Sequence, residues 1–315
     1  MRALFLAFAL LATGAGAQDW PSKPVHIIVP FPAGGSADLL PRYVGESLAK
    51  QWAQPVIVDN RPGAAGNIGA AAVYQAAPDG YTLLSAAPAL IINSLLYPKP
   101  GYDAARFVPM SVIAAIPNVL LVHPKVQART VAELIAHARQ NPGKLNYASQ
   151  GGGATSHLSA ELFKTMAGNL QITQVPYKGS APALGDLLAG KVDMMFDNLD
   201  VSQPHLKAGK LRALAVASTR RYRSLPDVPT LAETLPGFES VAWFGVVGPP
   251  KTPRAIAEKV ATGVEAALRN PDILRRLSEL SADPLGMSPK ETAAFMKLET
   301  ERWGALIRSA GVKPD

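Results

Sequence analysis

Short apolar runs alternate with one-sided apolar stretches over the first quarter of the chain. Val25-His26-Ile27-Ile28-Val29 is a branched run of five that stops at Pro30, the length and make-up of a buried strand. From Asp38 to Trp52, the residues Leu39, Leu40, Tyr43, Val44 and Leu48 share one side of a helix. Val56-Ile57-Val58 predicts a second strand, Asn67 to Ala76 a small-residue helix, and Tyr81 to Ser85 a third strand. Strand, helix, strand, helix, strand specifies a parallel sheet with helices on both faces.

The middle of the chain continues in this style. Val119–Val122, Asn146–Ser149, Val175–Tyr177, Val192–Phe196 and Leu211–Ala217 read as strands. Helices are predicted from the Thr130/Glu133 capping box to Asn141, from Ser156 to Met166 and from Ala181 to Ala189. The C-terminal part is mainly helical. Thr252-Pro253 predicts an N-cap and a first-turn proline, and Ser288-Pro289-Lys290-Glu291 a capping box whose helix stops at Gly311. Val119–Val122 and Trp243–Val247 each run into a proline-containing turn and look like matched crossings between two domains. They predict one lobe from residues 18–117 plus 240–315, a second from 118–239, and a hinge where the crossings lie side by side.

Composition narrows the chemistry. The chain has 315 residues and no cysteine, which excludes disulfides, zinc–thiolate sites, iron–sulfur clusters and a cysteine nucleophile. The net charge of +7 comes from basic residues spread along the chain, so no nucleic-acid partner is expected. Arg2, the apolar stretch Ala3–Ala12 and Ala15-Gly16-Ala17 have the layout of a signal peptide. It would be cleaved after Ala17 to leave an exported chain starting at Gln18. Ten apolar residues are too few to span a bilayer as a helix.

Several motifs fail on mechanics. Gly185 to Lys191 imitates a phosphate loop, but Val192 replaces the magnesium-binding Ser or Thr. Gly63, Gly66 and Gly69 lack the dinucleotide spacing. The five histidines are scattered, so no metal and no cofactor is expected. Ser149, His157 and Asp197 make a nominal triad without a nucleophile elbow, leaving a hydrolase as a minor alternative. The informative features are two glycine-rich loops between a strand and a helix, Phe31–Ser36 and Ser149–Ser156. Such loops place backbone N–H groups at a helix N-terminus, where an anion is favoured. Neither loop has a Lys or Arg, which fits a carboxylate held by neutral donors.

Trp20-Pro21, Pro30-Phe31-Pro32-Ala33-Gly34-Gly35 with Asp38 and Arg42, and Asn60-Arg61-Pro62-Gly63-Ala64-Ala65-Gly66 closely resemble the Bug family of periplasmic solute receptors. These are the extracytoplasmic binding proteins (TctC-like) of tripartite tricarboxylate transporters. The likeness continues through Asp79–Leu83, Asn146–Ser149, Pro176-Tyr177-Lys178-Gly179, Val192–Asp197 and Pro226–Thr230, essentially the whole mature chain. The resemblance implies an α/β fold of the type II periplasmic-binding-protein kind, two α/β lobes joined by two crossover strands. It implies a non-enzymatic receptor that closes on a small organic anion: a di- or tricarboxylate, an acidic amino acid or an aromatic carboxylate. The implied partners are the permease subunits of such a transporter, with a sensor protein as the alternative. One ligand carboxylate would meet Phe31, Ala33, Gly34, Gly35, Ala64, Ala65 and Gly66, with Ser85 and Ala87 lining the cleft. Ser149, Gly151, Thr155, Ser156 and His157 would face the far end, and Asp197 would accept from the ligand or cap the hinge. Pro41 departs from the family pattern. A helix that starts near Asp38 keeps it within the first turn.

Overall fold

The computed structural model describes residues 20–151 and 153–313. The expected signal peptide, Gln18 and Gly152 lie outside them. In chain order come Val25–Val29 (β1), Ser36–Trp52 (α1), Val56–Asn60 (β2), Asn67–Tyr74 (α2), Thr82–Ala86 (β3), Pro88–Leu96 (α3) and Val108–Val122 (β4). Val131–Gln140 (α4), Asn146–Ser149 (β5), Thr155–Met166 (α5), Thr173–Pro176 (β6), Ser180–Leu188 (α6), Met194–Asn198 (β7), Leu199–Lys207 (α7) and Arg212–Val216 (β8) follow. Val241–Gly248 (β9) then returns, and Arg254–Ala267 (α8), Pro271–Glu279 (α9), Asp283–Pro284 (β10) and Pro289–Ala310 (α10) close the chain.

The strands join in the order β2-β1-β3-β9-β4-β7-β5-β6, with β8 and β10 also on β4. β1, β2 and β3 are parallel, as are β5, β6 and β7. β4 is the spine, and its partner changes along its length. Val108 to Pro117 pair with β9, whereas Asn118 to Val122 pair with β7 and β8. It runs past the carboxyl end of β3 and meets the carboxyl end of β7, where Asn118 pairs with Asn198. The carboxyl ends of the two parallel sets therefore face each other across a cleft, where ligands bind in open α/β sheets.

One large core runs through both sets, from Val25 and Leu83 past β4 to Ala148 and Met195, and each set adds a cluster of its own. Ile28, Leu84, Val112 and Trp243 belong to the first, and Tyr147, Phe163, Phe196 and Phe238 to the second. A further small cluster bridges the two sets: Ile92 and Leu96 of α3, Leu158 of α5, and Trp303 and Leu306 of α10. The crossing is stitched by polar side chains in the dry interior. Asn118 Nδ2 donates to Ser240 O at 3.2 Å, and the Ser240 and Ser159 hydroxyls lie 2.6 Å apart. Thr155 Oγ1 donates to Asn118 Oδ1 at 3.4 Å, tying the start of α5 to the crossing.

Several expectations need correction. The first helix begins at Ser36, not near Asp38, so Pro41 lies beyond its first turn. Pro253 occupies the N-cap of α8 rather than its first turn, and the Thr252 hydroxyl donates to Pro249 O instead of capping. α3, α7, α9 and the first half of β4 have no counterpart in the sequence-based expectation. The Ser288/Glu291 capping box and the left-handed Gly311 stop on α10 are as expected. Among the described residues no helix is long and apolar enough to cross a membrane.

Candidate functional site

The first glycine loop leaves β1 at Pro30 and enters α1 at Ser36. Asp38, 2% exposed, organises it. Its carboxylate accepts from the Gly34 amide (2.9 Å), from Arg42 Nε (2.9 Å) and from Asn60 Nδ2 (2.9 Å). Asn60 also donates to Phe31 O, which joins this loop to the one after β2. Burial alone would raise Asp38, but Arg42, the Gly34 amide and Asn60 together hold its carboxyl below the usual range. Arg42 is thus a structural partner of Asp38.

The second loop is bent by four successive positive φ angles, at Gly63, Ala64, Ala65 and Gly66. For alanine this conformation costs about 1–2 kcal/mol per residue, so neighbours must impose it. Asn93 of α3 does so, its Nδ2 donating to Ala65 O at 2.8 Å and to Asn67 Oδ1 at 3.0 Å. Gly69 is a packing residue. A Cβ there would come within 2.9 Å of Arg61 O and of Pro30.

These parts enclose a cavity of about 10 Å³, room for roughly one water. Phe31, Ala65, Gly66, Ser85, Ala87 and Asn93 are among its walls. The Phe31 ring lies against Gly66. Ala33, Gly34 and Gly35 are exposed at the loop tip. Two amides expected to meet a ligand are engaged within the chain: Gly34 with Asp38, and Gly66 with Gly63 O at 2.9 Å. Ser85 is also occupied, donating to Ala37 O in the first turn of α1.

On the opposite side, the loop after β5 folds around Asp197. Asp197 is fully buried, and its carboxylate accepts from Gln150 Nε2 (2.6 Å), Ser180 Oγ (3.0 Å) and the Asn198 amide (2.9 Å). It therefore braces the loops that start α5, α6 and α7. Burial, and then the charge of Asp200, push its carboxyl up to about 7 against the pull of those donors. The Ser149 hydroxyl accepts from Gln174 Nε2, and Ser156 Oγ accepts from the Gln150 amide. Ser149, Thr155, Ser156 and His157 are all buried. Gly151 and Gly153 have positive φ.

Besides the apolar cluster of α3, α5 and α10, two contacts join the loops on either side of the site. A Cβ on Gly153 would stand 1.8 Å from Asn93 Oδ1, so loop and helix meet with no room for a side chain. The Ser36 hydroxyl donates across the cleft to Asp200 Oδ2 at the start of α7. Asn93, Gln150, Ser180 and Asp200 escape the sequence reading. Only Asn93 leaves a local trace, as an amide directly after the apolar run Leu90-Ile91-Ile92. Among the described residues no three His, Asp or Glu side chains converge as metal ligands would.

Two α/β lobes, two crossing strands and glycine loops on facing strand ends define the two-lobed solute-binding class. The family model of the tripartite tricarboxylate transporter family receptor (TctC) matches residues 40–312. The chain belongs to that family. It is 36% identical over 314 residues to Protein BugT of Bordetella pertussis, covering 98% of this chain and 96% of that protein. Among solved structures it is similar to R. palustris Rpa4515 with adipate, at TM-score 0.87 and 42% identity, covering 94% of this chain and 100% of the other. It is also similar to MatC (Rpa3494) from Rhodopseudomonas palustris with bound malate, at TM-score 0.82 and 32% identity, covering 91% and 100%.

Proposed function

We propose that this chain is a periplasmic receptor that captures a small organic carboxylate between its lobes and presents the closed form to a membrane permease. The lobes, residues 18–117 with 240–315 and residues 118–239, turn about the paired crossings near Asn118 and Ser240. The observation that carries the reading is the opposition of strand-to-helix glycine loops across a cleft, where Gly153 of the loop after β5 meets Asn93 of α3, the residue that holds the loop after β2. The adipate-bound and malate-bound relatives support a carboxylate as the ligand class. A ligand favours closure by as much as it prefers the closed state.

A thermal-shift screen of refolded, ligand-stripped protein against organic acids and amino acids tests this. A ligand at a hundredfold its Kd adds about 2.7 kcal/mol, a shift of several degrees. A shift with one class of acid, lost on amidation of its carboxylate, is the expected result. A shift with the amide or ester and none with the acid overturns the carboxylate site.

A further inference from the structure

Asp200 and Asp197 place two carboxylates in the wall of a cleft read here as an anion site. Asp197 is fully buried. Asp200 spans the cleft, since the hydroxyl it accepts from belongs to Ser36, next to Gly35 of the first glycine loop. The side-chain donors to this pair are neutral: Ser36, Gln150 and Ser180. Among the described residues, the charges on the neighbouring elements include the exposed Lys178, two residues before Ser180. On α1, Asp38 and Arg42 are paired with each other. β4 between Asn118 and Val122 carries no ionisable side chain. α5 contributes the buried His157, and α6 presents Ser180.

We propose that closure on an anionic ligand is coupled to uptake of a proton by the Asp197 and Asp200 carboxylates, with the Ser36–Asp200 hydrogen bond as the latch of the closed state. This rests on the receptor reading and states how that site is regulated. With the lobes parted, Asp200 loses Ser36 and gains water, so its charge is solvated. Closing strips that water and brings a third carboxylate, the ligand's, into the same low-dielectric space. Like charges in one site cannot all stay ionised, and protonating one aspartate is the cheapest relief. The burial of both groups already pushes their carboxyls upward.

The test uses the acid that gives the largest thermal shift in the panel, with adipate and benzoate as the first probes. Titration calorimetry at pH 7.5 in phosphate and in Tris, whose ionisation heats differ, counts protons taken up. The expected result is net uptake approaching one proton, with a Kd that tightens towards about tenfold per unit as pH falls from 8. Asp200→Asn keeps an acceptor for Ser36 and removes one charge. It should bind more tightly than wild type at pH 8 and take up fewer protons. Ser36→Ala should weaken binding without changing the proton count. Equal heats in the two buffers and a flat Kd overturn the coupling and leave the receptor intact. No shift with any acid overturns the receptor reading itself.

Discussion

The Ser85 hydroxyl donates to the carbonyl of Ala37 at 3.0 Å, on the helix α1 that Pro41 interrupts. A proline at position 41 has no N–H for the carbonyl four residues earlier, which is Ala37. A strand residue thus supplies the bond that the helix cannot make. The two positions should be energetically coupled. Ser85→Ala alone leaves a carbonyl unsatisfied and should cost about 1–3 kcal/mol in chemical unfolding. In a Pro41→Ala background the helix provides its own donor, and the same change should cost about 1 kcal/mol less. Equal costs in both backgrounds would show that the hydroxyl does nothing for the interrupted turn.

Asp38 joins the loops after β1 and β2, and its carboxyl is held below the ordinary range. The charged form is therefore favoured by folding. This stability is complete above the unfolded value near 3.8 and is lost as pH falls through the lower folded value. Asp38→Asn should destabilise the protein by about 2 kcal/mol at pH 7, the usual loss for a charged hydrogen-bonded group. The gap between variant and wild type should narrow below pH 4. Urea unfolding at pH 7, 5 and 3 measures it, and a gap constant with pH would sink the assignment.

Strands and helices that alternate one after another are legible in the chain because apolar periodicity is a local property. The two glycine loops are legible for the same reason, since they fall where a strand run stops and a helix begins. α3 is not, because its residues are buried on several sides and leave no polar face to set the period. The first half of β4 hides behind Pro109 and Pro117, which read as breakers, yet the strand continues through a register shift beside Pro109. Asp197 stands out in the sequence, but Gln150 and Ser180 lie 47 and 17 residues from it. Only tertiary packing reveals that they fill its carboxylate. The Ser36–Asp200 contact, 164 residues apart, is beyond any local pattern.

Asp197, at about 7, shows the opposite pH behaviour from Asp38. Folding favours its protonated form, so its contribution is complete below about pH 4 and is lost as pH rises through 7. Burial of the carboxylate sets an upper bound of about 4 kcal/mol on the cost of its charge at pH 8. Asp197→Asn suits the site. The retained oxygen accepts from Gln150 and the Asn198 amide, and the new amide donates to Ser180. The variant should melt above wild type at pH 8, by less at pH 5, and level with it at pH 4. A lower melting temperature at each of these pH values would mean that the carboxylate is needed ionised.

Gly153 of the loop after β5 lies against Asn93 of α3, and in the proposed mechanism closure makes this contact. Gly153→Ala meets two obstacles: its φ of +78° and a Cβ placed 1.8 Å from Asn93 Oδ1. Gly143→Ala meets only the first, with φ of +75° and nothing within 4 Å. The left-handed conformation alone costs about 1–2 kcal/mol in either variant. The clash at Gly153 acts only when the lobes are together, so an open form relieves it. Gly153→Ala should therefore lose ligand affinity by about tenfold or more, equivalent to about 1.4 kcal/mol against closure. Gly143→Ala should lose stability with unchanged affinity. Solution scattering should show the Gly153 variant remaining extended at ligand concentrations that compact the wild type. If both variants bind like wild type, Gly153 and Asn93 do not meet in the bound state.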